Sequence, residues 1–240
     1  MVESAQSNMG QMTLRGEELQ MTQSKAETIS LAKTYAEQGD PDGWFEEFYA
    51  RAGGRIHKVY WADLKPNPLL IDLVSQRKAH AGRRAIIIGC GLGDDAEALV
   101  QHGYQATAFD ISPSAIAMCQ KRYPNSAFNY LVADLFDPPK VWRRAFDLVY
   151  ECNTIQILTG RNRVGALEAI TDLVAPNGEV VVSCRSRNAG EQLDEFPLAL
   201  DRDEIDGFKR AGLSETHFLV YDDDQDPPVP HFFAAYERTK

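Results

Sequence analysis

Positive charge is scarce in this sequence: 25 Lys and Arg stand against 35 Asp and Glu, a net charge of -10, and no basic cluster is present to neutralise a phosphate backbone. That argues against a nucleic-acid partner and for small molecules. Long apolar runs are also missing, so no segment reads as a membrane span, and the polar N-terminus lacks the apolar core of a signal peptide. The four cysteines, Cys90, Cys119, Cys152 and Cys184, lie far apart and form neither a CxxC redox pair nor a zinc-type spacing. They read as reduced thiols in a cytoplasmic protein, with no metal expected. There are no internal repeats.

What is present is enough apolar residue for a core: 44% of 240 residues, the size of one domain with an appendage. The organising stretch is AIIIGCGLGDD, Ala85 to Asp95. Three β-branched residues, Ile86 to Ile88, run into Gly89, Gly91 and Gly93, and an amphipathic run follows. A buried strand thus breaks into a glycine turn and restarts as a helix, glycine serving dihedrals closed to other residues and close approach of a ligand. Asp110 closes the next strand, QATAFD, at about the spacing at which an acid meets a ribose. The glycines are spaced GxGxG, without the third glycine of the dinucleotide fingerprint, and Asp94 and Asp95 occupy the helix start. The two acids either complement the helix dipole or form an acidic rim, which would repel a pyrophosphate and suit a cationic nucleoside such as S-adenosylmethionine.

Residues 1 to about 25 are polar, with disorder or a loosely attached helix expected, and a helix is expected from Lys25 to about Gln38. Trp44, Phe45, Phe48, Tyr49, Tyr60 and Trp61 then bunch together, either as packing for the N-terminal helices or as a lid that excludes water, with His57 and Asp63 among them. Residues 1–43 are therefore read as a tail and helical lid segment and 44–240 as the main domain. A helix opens at Pro66-Asn67-Pro68 and ends by Gly82. Strands follow at 105–110, 127–134 and 146–151, helices at 112–122 and 163–174, and a fifth strand, EVVVSC, after Pro176-Asn177-Gly178. Strict alternation of strand and helix predicts a parallel sheet covered on both faces. A helix over 201–211 and the strands THFLVY and HFFAAYER, with only a loop between them, add an antiparallel hairpin at the edge.

On these residues the chain resembles the class I S-adenosylmethionine-dependent methyltransferases over about residues 44 to 238. The resemblance implies an α/β fold: a doubly wound, mostly parallel seven-stranded sheet ending in an antiparallel hairpin. It implies that Gly89, Cys90, Gly91 and Gly93 wrap the methionine part of the cofactor and that Asp110, followed by Ile111, holds the ribose. Asp134 then meets the adenine amino group and Leu135 lines its site. Tyr60-Trp61 before Pro66-Asn67-Pro68-Leu69-Leu70 is similar to the cofactor-capping segment of the thiopurine and tellurite methyltransferase branch, which makes Trp61 a cofactor contact.

The loop after strand four, Glu151-Cys152-Asn153-Thr154, lies where the donated methyl should point. It has no proline-containing tetrapeptide of the kind found in enzymes that methylate exocyclic or amide nitrogens, which disfavours DNA and protein amides. Glu151 and Asn153 are candidates to hold cofactor or orient substrate, and Cys152 lines the site or acts as nucleophile. His57 is the candidate base, with His231 behind it. Arg185 and Arg187 either bind an acidic substrate group or are surface residues, and Asp222-Asp223-Asp224 reads as a solvated loop. The expected activity is methyl transfer from S-adenosylmethionine to a small S, O or N nucleophile. An NAD(P)-dependent oxidoreductase and a cofactor-binding protein without turnover are the alternatives.

Overall fold

The computed structural model describes residues 25–77, 81–191 and 196–239, so the expectation for the first 24 residues lies outside it. Two compact units divide the chain, Met1–Ala62 and Asp63–Lys240.

In the first unit, helix α1 covers 25–37 and helix α2 covers Trp44–Ala52, with a short 3₁₀ turn at Ile56–Lys58. The Gly-Asp-Pro-Asp-Gly stretch separates the helices: Gly39 takes φ 82° and the Asp40 amide donates back to the Tyr35 carbonyl at 3.0 Å, closing α1, while Asp40 accepts from the Gly43 amide at 3.0 Å just ahead of α2. The expected aromatic bunch forms: Trp61 stacks on Phe48 at 4.0 Å between ring centroids and meets Trp44, Tyr49 and Tyr60 edge-on.

The second unit is built on seven strands in the order β3-β2-β1-β4-β5-β7-β6. They are β1 (Arg84–Ile88), β2 (Gln105–Asp110), β3 (Asn129–Val132), β4 (Phe146–Cys152), β5 (Val174–Arg185), β6 (Ser214–Asp222) and β7 (Pro230–Glu237). The first five pair in parallel, and β7 runs antiparallel to both β5 and β6. Alternation along the central strands divides the core. Ile86, Ile88, Val149, Val180 and Val182 join α6 (Gly160–Leu173), α7 (Arg202–Ile205) and α8 (Gly207–Arg210) on one face. Ala85, Ile87, Leu148, Tyr150 and Val181 join α3 (Pro68–Ser75), α4 (Asp94–Gln101) and α5 (Pro113–Arg122) on the other. Burying each of the three isoleucines of β1 is worth roughly 1.5–3 kcal/mol, which fixes that strand at the centre.

Caps set the helix starts. Asn67 accepts from the amides of Leu69 and Leu70 ahead of α3, Ser112 accepts from Ala115 ahead of α5, and proline occupies the first turn of both. Four elements differ from expectation. Strand β3 stops at Val132, since Asp134 folds back to accept from the Phe136 amide at 2.8 Å. The 201–211 helix is two short helices, the first closed by a capping box between Asp201 and Glu204. Helix α6 begins at Gly160, three residues earlier than expected. Strand β5 includes the Pro-Asn-Gly stretch as an irregularity, where the partner register passes from Phe146↔Val174 to Leu148↔Glu179 and Asn177 takes φ 58°.

Candidate functional site

Strand β1 lies between β2 and β4, and its two neighbours connect outward in opposite directions, which opens a crevice beyond the carboxyl ends of the parallel strands. The glycine turn fills the mouth of that crevice. Gly89, Gly91 and Gly93 have φ of 58°, 52° and 86°, and the Cys90 amide donates to the Phe109 carbonyl at 2.9 Å, tying the turn to the end of β2. Asp110 closes β2 with only 6% of its surface exposed. Its Oδ2 accepts from the Gly91 amide and its Oδ1 from the Ser112 amide, each at 3.0 Å. These two bonds orient the acid.

Two of the glycines have reasons inside the protein. A Cβ on Gly89 would collide with the Thr154 side chain, and one on Gly93 would lie 2.8 Å from the Tyr130 hydroxyl and 3.3 Å from Cys119 Sγ. The close approach inferred from the sequence is therefore, at these positions, approach of the chain to itself.

The acidic rim does not exist as expected. Asp94 is held bidentately by Arg122 at 2.8 Å for each bond and accepts from the Tyr123 hydroxyl at 3.1 Å, and Arg122 also donates to the Leu92 carbonyl at 2.6 Å. Asp95 is partly buried and accepts from the Asn67 amide at 2.6 Å. Loss of water pushes its carboxyl up to about 6, aided by the negative charge of Asp94. A partner 28 residues away in sequence neutralises one acid and a neighbouring helix cap covers the other, neither of which local sequence reveals.

Beyond β3, Asp134 is exposed, with Oδ1 engaged by the Phe136 amide. Its turn points Leu135 into the core, 8% exposed, and leaves Phe136 at the surface. Leu135 is thus chiefly a core residue, whereas Ile111, directly after Asp110, is 38% exposed.

Glu151, Cys152 and Asn153 stand at the end of β4. Glu151 is wholly buried and accepts from the amides of Thr154 and Ile155. Asn153 is exposed in the left-handed region at φ 62°, its amide bonded to the Ser183 carbonyl at 2.8 Å. Burial and the nearby Asp95 charge drive the Cys152 thiol well above its usual range, so it is a neutral lining group and not an activated nucleophile. Beside it a polar row crosses the sheet edge: Asn67 Nδ2 donates to Ser183 Oγ at 3.2 Å, and Ser183 Oγ shares a 2.9 Å bond with the Tyr221 hydroxyl. Tyr221 stacks on His231, centroids 5.4 Å apart.

His231 is the second residue of β7, whose antiparallel course brings it opposite Arg185 at the carboxyl edge of β5. It is 4% exposed, with Nδ1 2.8 Å from the Val229 carbonyl, and burial lowers its pKa, which keeps the ring neutral. His57, the stronger sequence candidate, is exposed in the 3₁₀ turn of the first unit, and Trp61 belongs to that unit as well. Only a topology that folds the last strand back beside β5 distinguishes His231 from any other histidine.

Arg187 does not wait for a ligand. It pairs with Asp201 and Glu204 at 2.8 and 2.6 Å, beside Arg163, which also holds Glu204, around a cavity of about 460 Å³. In the acidic run, Asp223 accepts from the Gln225 and Val229 amides and Asp224 pairs with Lys65, so it is an ordered turn. Among the described residues no group of three acids, histidines or cysteines is placed to hold a metal ion, and no helix is long and apolar enough to cross a membrane.

Residues 85–178 match the family described as a methyltransferase domain. Thiocyanate methyltransferase 1 of Arabidopsis thaliana is 27% identical over 157 residues, 63% of each chain. The ubiquinone biosynthesis O-methyltransferase of Chromobacterium violaceum is 28% identical over 125 residues, 51% of this chain and 53% of that one. The chain thus spans between half and two thirds of these relatives. Among solved structures, the N-methyltransferase NodS of Bradyrhizobium japonicum with S-adenosyl-L-homocysteine superimposes with a TM-score of 0.63 at 19% identity, over 81% of this chain and 100% of that one.

Proposed function

We propose that this chain is a class I S-adenosylmethionine-dependent methyltransferase, a reading supported by its methyltransferase-domain match and its sheet topology, and that it transfers a methyl group from S-adenosylmethionine to a small-molecule S, O or N nucleophile. The observation that carries the reading is the placement of Asp110: the acid that closes β2 is oriented by the amide of Gly91 in the glycine turn, at the switch point of the sheet.

The residues there fit a nucleoside without phosphates. Asp110 and Asp134, beyond the ends of neighbouring strands, are acceptors suited to ribose hydroxyls and an amino group, and the exposed Ile111 offers an apolar surface to a base. The arginine beside the turn, Arg122, is committed to Asp94, so it offers no free cation to a pyrophosphate. When bound, S-adenosylmethionine supplies a methyl on a sulfonium and leaves as a neutral thioether. The chain's part is then to align the nucleophile and exclude water, effects worth roughly 7–11 kcal/mol in well-oriented cases. Cys152, Ser183 and Tyr221 form a neutral polar floor for the acceptor, and His231, with Nδ1 beside a carbonyl, holds Nε2 as a proton acceptor for a hydroxyl or amine. The Glu151 and Asn153 turn borders this floor.

The four free cysteines suit a reducing, cytoplasmic compartment, and the acidic surface suits small-molecule acceptors. Calorimetry with S-adenosylhomocysteine tests the cofactor half: saturable heat supports it, and none from folded protein at millimolar nucleoside rejects it. Release of S-adenosylhomocysteine in the presence of thiol, phenol and amine acceptors tests transfer. Binding with no turnover across such a panel would favour a protein that holds the cofactor without using it.

A further inference from the structure

Glu151 lies in register with Ile88 of β1 and Val182 of β5, on the face of the sheet that those apolar residues share. Its surface is 0% exposed. Oε1 takes both available main-chain donors, the Thr154 amide at 2.5 Å and the Ile155 amide at 3.0 Å, while Oε2 is buried with no hydrogen-bond partner among the described residues.

The consequence of those two bonds reaches the glycine turn. They close the chain reversal after β4, and in that reversal the Thr154 side chain rests on β1: Oγ1 is 3.4 Å from the Ile88 carbonyl and fills the space beside Gly89. Gly89 is where β1 ends and the turn begins. The place of the turn is therefore set through Thr154 by the Glu151 carboxyl.

The surroundings of that carboxyl favour its neutral form. The titratable groups that feel it are Cys152 on its own strand and Cys184 on β5, both thiols that burial holds protonated. Arg163 and Glu204, which also bear on Cys184, are paired with each other. Among the described residues no charged side chain of β1 or the glycine turn bears on it. A buried oxygen without a donor is tolerable on a neutral acid and heavily penalised on a carboxylate. Burial outweighs the two amide bonds and pushes the group up to about 7.

We propose that Glu151 is a positioning residue that acts as a protonated acid: it locks the turn after β4, the turn seats Gly89, and loss of its proton unseats the glycine turn and weakens cofactor binding. This rests on the cofactor reading above. The protein would then bind S-adenosylhomocysteine in a pH-dependent way that no acceptor chemistry is needed to observe.

The test is calorimetry with S-adenosylhomocysteine on wild type, Glu151→Gln and Glu151→Ala across neutral pH. Glutamine keeps a carbonyl for both amides and cannot ionise. Wild-type affinity is expected to fall about tenfold for each pH unit above the carboxyl's titration point. Glu151→Gln should bind like wild type at low pH and stay flat, and Glu151→Ala should bind weakly throughout. Coincident profiles for wild type and Glu151→Gln overturn the proposal, while absence of wild-type binding at every pH sinks the cofactor reading itself. Should the variants not fold, carboxyl NMR of glutamate-labelled wild type decides: one glutamate titrating near neutrality is expected, and glutamates that all titrate in the ordinary acidic range contradict it. Glutamate labelling also separates the signal from Asp95.

Discussion

Thr154 stands where a Cβ on Gly89 would have to go, so the loop after β4 and the turn after β1 are fitted to each other. Gly89→Ala should cost about 2–4 kcal/mol, combining a left-handed φ with a steric clash. Removing the obstacle in Thr154→Ala should leave only the backbone part, about 1–2 kcal/mol. A double-mutant cycle by urea denaturation checks this, and strict additivity would show that the two loops do not press on each other.

Arg122 and Asp94 form a two-pronged pair whose side chains are 18% and 16% exposed. Arg122→Ala should therefore destabilise the fold by about 3 kcal/mol, because it strands a partly buried carboxylate. Chemical denaturation measures it. A cost within experimental error would mean that Asp94 is solvated and restore the acidic rim.

Stability should decline as pH rises from about 4 to about 7 and level off above that. Asp95, ordinarily 3.8, sits at about 6, and Glu151, ordinarily 4.5, sits at about 7, so in both cases the folded chain binds more protons than the unfolded one between those values. What their neutral forms contribute is present at low pH and lost as pH rises through the folded pKa. For Glu151 the difference corresponds to roughly 3 kcal/mol by pH 8. Melting curves between about pH 5 and pH 8 should show the decline, and Asp95→Asn with Glu151→Gln should flatten it. A wild-type curve that is flat or rising over this range would contradict the assignment of both groups.

The strands, the glycine turn and the terminal hairpin were legible because each is written locally: Ile86 to Ile88 are apolar on both faces of the sheet, and Asp110 follows at a fixed spacing. Less legible was what those residues touch. Asp94 looked like a free acid because Arg122, its neutraliser, is on another helix. Leu135 looked like a binding-site residue because the Asx turn that buries it depends on a single side-chain bond from Asp134. His231 ranked below His57 because nothing local tells that β7 returns to the carboxyl edge beside Arg185. Glu151 is by sequence a candidate cofactor or substrate contact, and nothing local shows its burial, which depends on β1 and β5 pairing on both sides. Pattern gives faces and ends; pairing across the sheet decides the charge state.

The most direct measurement is titration calorimetry of S-adenosylhomocysteine against wild type, Asp110→Ala, Asp134→Ala and the double variant, with folding confirmed by circular dichroism. Charged hydrogen bonds are worth about 1.5–3 kcal/mol, so each single variant should lose roughly tenfold to a hundredfold in affinity and the double variant should show no heat. Wild-type affinity preserved in the folded double variant would mean that the nucleoside does not lie across the ends of β2 and β3.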